Sequence, residues 1–212
     1  MLSVPMAYVR EDDYSSVIGA LKHADENKIS CVNSPQLYPA IPKVIFKILH
    51  NDTHLFLQYF VEEDEILAEV TEDNDRVCTD SCIEFFVSFG APYYYNLEVS
   101  CIGTAMMAYR EMGEEKVYAP MEVLASIKRY PSQGREPFGK IRGDFKWDIL
   151  LIIPVSAFWQ SGLESFKGVK AEANFYKCGD NLTLPHYLSW QRIKSESPNF
   201  HLPAFFGEIH FE

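Results

Sequence analysis

No stretch of this sequence is apolar for long enough to cross a membrane as a helix. The longest run, Ile149 to Val155, falls far short of the roughly 18 residues that such a span needs. Basic residues are also scarce. The 19 Lys and Arg stand against 30 Asp and Glu, a formal charge of −11, so a phosphate backbone would meet net repulsion. Neither nucleic acid nor membrane is expected as a partner. The opening Met1 to Arg10 has no basic segment followed by an apolar stretch, and so reads as cytoplasmic rather than as a secretory leader. A leader already removed would move that expectation to the periplasm or the cell exterior. There is no Gly-x-Ser-x-Gly elbow, phosphate loop, dinucleotide fingerprint or His-Glu-x-x-His pair, which leaves nucleophilic and nucleotide chemistry without support. The six histidines show no metal-ligand spacing; a zinc pair from His186 and His201 is a minor alternative. The five cysteines, Cys31, Cys78, Cys82, Cys101 and Cys178, are odd in number and lack a Cys-x2-Cys unit. Reduced, mostly buried thiols are the expectation.

What the chain has instead is β-favouring sequence. Hydrophobic residues make up 47% and aromatics 14%, enough for one sizeable core within a single domain over 1–212, with residues 1–28 as an N-terminal extension packed on it. Strands are expected at Lys43 to Leu49, Leu55 to Val61, Asp80 to Phe89, Tyr93 to Cys101, Lys146 to Ile153, Val169 to Tyr176 and Gly207 to Phe211. Asn51-Asp52 reads as a hairpin turn. Glu122 to Tyr130 reads as a further strand. Val17, Leu21 and Ala24 recur at helical spacing within Asp12 to Asp25, and a short helical turn can follow Pro154. Many short strands without regular intervening helices point to an all-β fold, a two-sheet antiparallel sandwich with short peripheral helices.

The period-2 pattern is clearest in Asp80 to Phe89 and Tyr93 to Ser100. Ile83, Phe85, Val87 and Phe89 form one apolar row, with Leu97 and Val99 opposite them. Leu55, Leu57 and Ile149 complete the expected core. Across the Gly90-Ala-Pro92 turn, Glu84, Asn96 and Glu98 would meet on the other face. Carboxylates and an amide beside aromatics suit sugar hydroxyls and ring faces. A solvated outer sheet face would show the same pattern. Asn174, Tyr176 and Arg110 join the candidate set, and Trp190 supplies an aromatic platform. The acidic loop of Asp73, Asp75 and Asp80 is dense in hard oxygen ligands and is the candidate calcium site, with solvated turn as the bland reading. No other cofactor is expected.

Taken in order, Asp80-Ser-Cys-Ile-Glu-Phe-Phe86, Tyr95-Asn-Leu-Glu98, Gly103-Thr104, Trp147 leading to Ile153-Pro154, Asn174-Phe-Tyr-Lys177, Ser189-Trp190 and Phe200-His201 through Phe206-Gly207 resemble the carbohydrate-binding module family 9-like proteins. The resemblance runs from about Ile29 to the C-terminus. It implies a β-sandwich that binds the end of an oligosaccharide or polysaccharide and is found attached to, or encoded beside, glycan-degrading enzymes. In xylanase-attached members a sugar is held between two tryptophans above a polar concave face, with calcium bound elsewhere. Trp190 matches one wall; Trp147 and Trp159 read as core, so Tyr176 or Tyr95 would supply the other. The alternative from a different class is a glycoside hydrolase with Glu84 and Glu98 as acid and base.

Overall fold

The computed structural model describes all residues 1–212. Along the chain run β1 (Leu2–Val4), α1 (Tyr14–Lys22), β2 (Asn27–Lys28), β3 (Cys31–Val32), β4 (Lys43–His50), β5 (His54–Ala68), β6 (Cys82–Gly90) and β7 (Tyr93–Ser100). There follow β8 (Ala105–Glu111), β9 (Val117–Tyr118), α2 (Met121–Ser126), β10 (Lys128–Pro131), β11 (Phe138–Pro154), β12 (Lys170–Cys178), β13 (Tyr187–Ser189) and β14 (Gly207–Phe211). A nine-stranded sheet has the order β1-β14-β12-β6-β7-β8-β9, with β13 and β3 branching from β12. A five-stranded sheet, β10-β11-β5-β4-β2, packs against it. Pairing is antiparallel except between β1 and β14.

Apolar parity builds this sandwich. Leu55, Leu57, Ile83, Phe85, Val87, Leu97, Val99 and Ile149 all fall in one inter-sheet cluster of 38 buried residues, as the alternating rows predict. α1 is capped by Asp13, whose side chain accepts from Ser16 N, and it lays Val17 and Leu21 onto the outside of β4 and β5. The turn after Pro154 is a single 3-10 turn, Val155–Ala157.

Two expectations are corrected and one strand was not expected. Glu122 to Tyr130 is not one strand: Pro120 opens the short helix α2, and extended backbone resumes at Lys128. β5 and β11 run on well past Val61 and before Lys146, pairing through two register shifts. β8, an Ala- and Met-rich segment, forms a full interior strand between β7 and β9. The outer face of the nine-stranded sheet is not bare. A second cluster of ten buried residues, including Phe86, Tyr94, Tyr176, Ile193 and Phe200, covers part of it. The segment from Gln191 to Phe206 is that cover.

Candidate functional site

Pairing register places the polar row on this outer face. Glu84 lies opposite Glu98 and Phe86 opposite Asn96. Asn96 then faces Ala108, and Ala108 faces Tyr118. On the far side, Tyr176 is the partner of Glu84 and Cys178 that of Cys82. Paired residues share a face, so Glu84, Asn96, Glu98, Arg110, Asn174 and Tyr176 all project the same way. A hydrogen-bonded chain links three of them. Arg110 Nε donates to Asn96 Oδ1 at 2.6 Å, and Asn96 Nδ2 donates to Glu98 Oε1 at 2.9 Å.

Burial differs sharply across this row. Glu84 is 3% exposed and accepts from Cys178 Sγ at 3.0 Å. Burial, reinforced by the neighbouring Glu98, holds its carboxyl well above the usual range. Glu98 is pushed up to about 7, chiefly by burial, against the downward pull of the Asn96 hydrogen bond and the Arg110 charge. Tyr176 is fully buried: its ring stacks on Phe200 at 4.1 Å and its hydroxyl donates to Phe200 O. Asn174 is saturated by the covering segment, accepting from Gln191 N and donating to Gln191 O and Phe205 O. These two residues hold the cover in place and are closed to a ligand.

The open margin lies toward β8 and β9. Arg110 is half-buried, and its Nη groups make no hydrogen bond within the protein. Tyr118 is 44% exposed, with Lys116 Nζ 4.5 Å from its ring centroid. His201 completes this margin, with its ring stacked on Phe86 and Nδ1 3.2 Å from the Tyr94 hydroxyl. Burial, then the charges of Arg110 and Lys116, lower its pKa to about 3, so the ring is neutral. Tyr118 and Lys116 were invisible to motif reading, because only the β8–β9 register brings them to this face.

The aromatic walls are corrected. Trp190 is on the opposite side of the sheet, edge-on to Phe46 and Phe175 in the inter-sheet core. Its ring passes so close to Gly207 that a Cβ there would sit 2.8 Å from Cζ3. Tyr95 also faces the core, where its hydroxyl accepts from Gln160 N and its ring meets Trp159. Trp147 is core, as expected, and Nε1 donates to Glu63 Oε1 at 2.7 Å.

The acidic loop does not assemble a cation cage. Both Asp73 oxygens bind the Arg129 guanidinium, and Oδ1 also accepts from Ala105 N. Asp75 accepts from Arg76 N, and the buried Asp80 accepts from Val70 N. Three carboxylates each committed to a different protein donor do not fit calcium. His186 and His201 are likewise separate. His186 lies on the core side, bound to a buried Lys177 whose Nζ is 2.9 Å from its Nε2 and 2.8 Å from Glu63 Oε2. All five cysteines are free, three of them buried and two half-buried.

A cleft of about 770 Å³ lies elsewhere, between Pro39–Lys43, the β5–β11 extension and Leu182–His186. Its cations already pair within its walls: Lys43 and Lys146 with Glu62, and Arg142 with Glu65.

Comparisons with known proteins agree with this architecture. The family model for carbohydrate-binding family 9 matches residues 17–211. A candidate carbohydrate-binding protein from Bacteroides uniformis is 39% identical, with a TM-score of 0.92 over 100% of this chain and 98% of its own. A family 9 module from Caldicellulosiruptor kristjanssonii solved in complex with glucose is 10% identical, with a TM-score of 0.56 over 100% of this chain and 95% of its own. With cellotriose bound, a structure of a family 9 module from that organism gives 10% identity and a TM-score of 0.52 over 100% and 93%. No curated protein is detectably similar in sequence. With the family model spanning nearly the whole sandwich, the chain belongs to carbohydrate-binding family 9.

Proposed function

We propose that this protein binds the end of an oligosaccharide or polysaccharide without cleaving it, at the open margin of the outer face. The observation that carries this placement is the register Asn96–Ala108–Tyr118. It sets an exposed aromatic ring beside the hydrogen-bonded chain of Arg110, Asn96 and Glu98. Sugar recognition needs that combination: an apolar ring face, a carboxylate acceptor and charged donors. Arg110, Lys116 and Tyr118 are the contact residues, with His201 closing one side and the buried Glu98 holding Asn96 beneath them. Asn96 orients Arg110 and Glu98. Gluco-configured sugars are the first ligands to test, since the glucose and cellotriose complexes belong to the same family.

The glycosidase alternative requires a scissile bond between two carboxyls. Glu84 and Glu98 are direct cross-strand neighbours, and both are buried, which favours binding over cleavage.

Calorimetric titration with glucose and cello-oligosaccharides, backed by a glycan array, tests the reading. Tyr118→Ala and Glu98→Gln should each weaken binding by ~1 kcal/mol or more, the scale of an interface hot spot. Phe145→Ala, in the distant cleft, should leave affinity unchanged. Loss of binding in Phe145→Ala with retention in Tyr118→Ala would move the sugar to the cleft. Release of reducing sugar by the wild type that vanishes in Glu98→Gln would restore the hydrolase.

A further inference from the structure

The buried floor of the outer face carries a group of ligating side chains that sugar binding does not use. Cys82 and Glu84 are two apart on β6, and Cys178 on β12 is the register partner of Cys82. Their Sγ, carboxylate oxygen and Sγ atoms lie within 4.8 Å of one another, and all three residues are buried. We infer that Cys82, Glu84 and Cys178 bind a thiophilic divalent cation of the zinc class, independently of the sugar reading.

The geometry supports closure around an ion. Tetrahedral zinc with Zn–S bonds of about 2.3 Å sets ligand atoms about 3.8 Å apart, a spacing within the span that these groups already occupy. Cys178 Sγ and Glu84 Oε1 are 3.0 Å apart and would open slightly as the metal replaces the thiol proton between them. Two thiolates and one carboxylate select a soft cation, whereas calcium and magnesium take oxygen-only cages. The two thiol protons, and any proton on the Glu84 carboxyl, leave to solvent as the ion enters, so all three ligands bind as anions and affinity rises with pH. The resulting site carries one net negative charge. Arg110, held over this face by Asn96, supplies the counter-charge. Neither Glu84 nor Glu98 is in an ion pair with any lysine, arginine or histidine.

The experiment uses the full chain, stripped with a chelator and titrated with cadmium and with zinc. Cadmium should produce a thiolate-to-metal charge-transfer band saturating at one equivalent, and zinc should compete it away. Cys82→Ser and Cys178→Ser should abolish the band and weaken zinc at least tenfold, while Cys31→Ser and Cys101→Ser leave both intact. X-ray absorption on the zinc-loaded wild type removes any dependence on variant folding. A first shell of two sulfurs with oxygen is expected, and a shell of nitrogen and oxygen alone would overturn the site. No band in the wild type, or a band that survives in the Cys82→Ser/Cys178→Ser double variant, would also overturn it. Sugar titrations on the same samples, with and without zinc, keep a failure of this site distinct from a failure of carbohydrate binding.

Discussion

Replacing Lys177 with methionine should be among the most destabilising single changes in this chain, and a second change should largely reverse it. Lys177 has no exposed side-chain area; its ammonium hydrogen-bonds His186 Nε2 and Cys178 O, each at 2.9 Å, and forms an ion pair with Glu63 Oε2 at 2.8 Å. Glu63 is equally closed, with Trp147 Nε1 as its other partner. In Lys177→Met the carboxylate keeps the indole and loses the cation, so a buried charge is left uncompensated, at a cost of ~3–5 kcal/mol. With a urea slope near ~2 kcal/mol per molar, the unfolding midpoint should fall by roughly 1.5–2.5 M. Lys177→Met/Glu63→Gln removes both charges while the amide oxygen still accepts from Trp147. That double variant should recover at least ~2 kcal/mol of the loss. Urea unfolding of the four proteins of the cycle at neutral pH measures this directly. A single-variant cost below ~1 kcal/mol, or a double variant no better than Lys177→Met, would refute the account of a dry, mutually dependent pair.

Three further outcomes follow from the same contacts. Trp190→Ala should cost ~2–4 kcal/mol of stability, reduced from a full core truncation by the ring's partial exposure; Gly207→Ala should cost ~1–3 kcal/mol because its Cβ would collide with that ring. In both, sugar affinity of the folded fraction should be unchanged by calorimetry. His186 is held neutral down to about 2 by burial and then by Lys177, with Glu63 3.7 Å away. The unfolded chain therefore takes up a proton near its ordinary pKa that the native state refuses. Stability is fully present above about 6.5 and falls as pH drops, by about 1.4 kcal/mol per pH unit per proton. Stability measured from pH 7 to 5 should show His186→Gln lacking that one-proton slope, and equal slopes would sink the assignment. Asp73→Asn should cost ~1–3 kcal/mol by breaking the two-pronged Arg129 contact, and thermal melts should respond no differently to calcium in variant and wild type.

The sandwich itself was legible because alternation is a physical consequence of burying one face. Ile83, Phe85, Val87, Leu97 and Val99 of the β6 and β7 rows entered the inter-sheet core, with Phe89 packed half-buried against it. Strand β8 was not legible, since its Ala and Met residues carry little β preference and are held by neighbours on both sides. The cover from Gln191 to Phe206 has no period to read. Its placement comes from long-range bonds such as Tyr176 to Phe200 and Asn174 to Gln191.

For the site, parity held more information than residue type. Trp190 looked like a sugar platform because it is an aromatic among polar neighbours, yet Tyr187 and Ser189 pair with Cys178 and Tyr176 on the outer face. The alternation that sends those two outward sends Leu188 and Trp190 inward. The same parity puts Lys177 between Tyr176 and Cys178, on the core side with Phe175 and Ala173. A lysine there needs a buried anion, which Glu63 supplies from the equivalent core parity of Leu57, Tyr59 and Val61 in β5. By that logic Cys82 and Cys178 share the face of Glu84, and Tyr118 joins Asn96 once the β8–β9 register is known. Motif likeness found the family, but strand parity decides which of its polar and aromatic residues a sugar can reach.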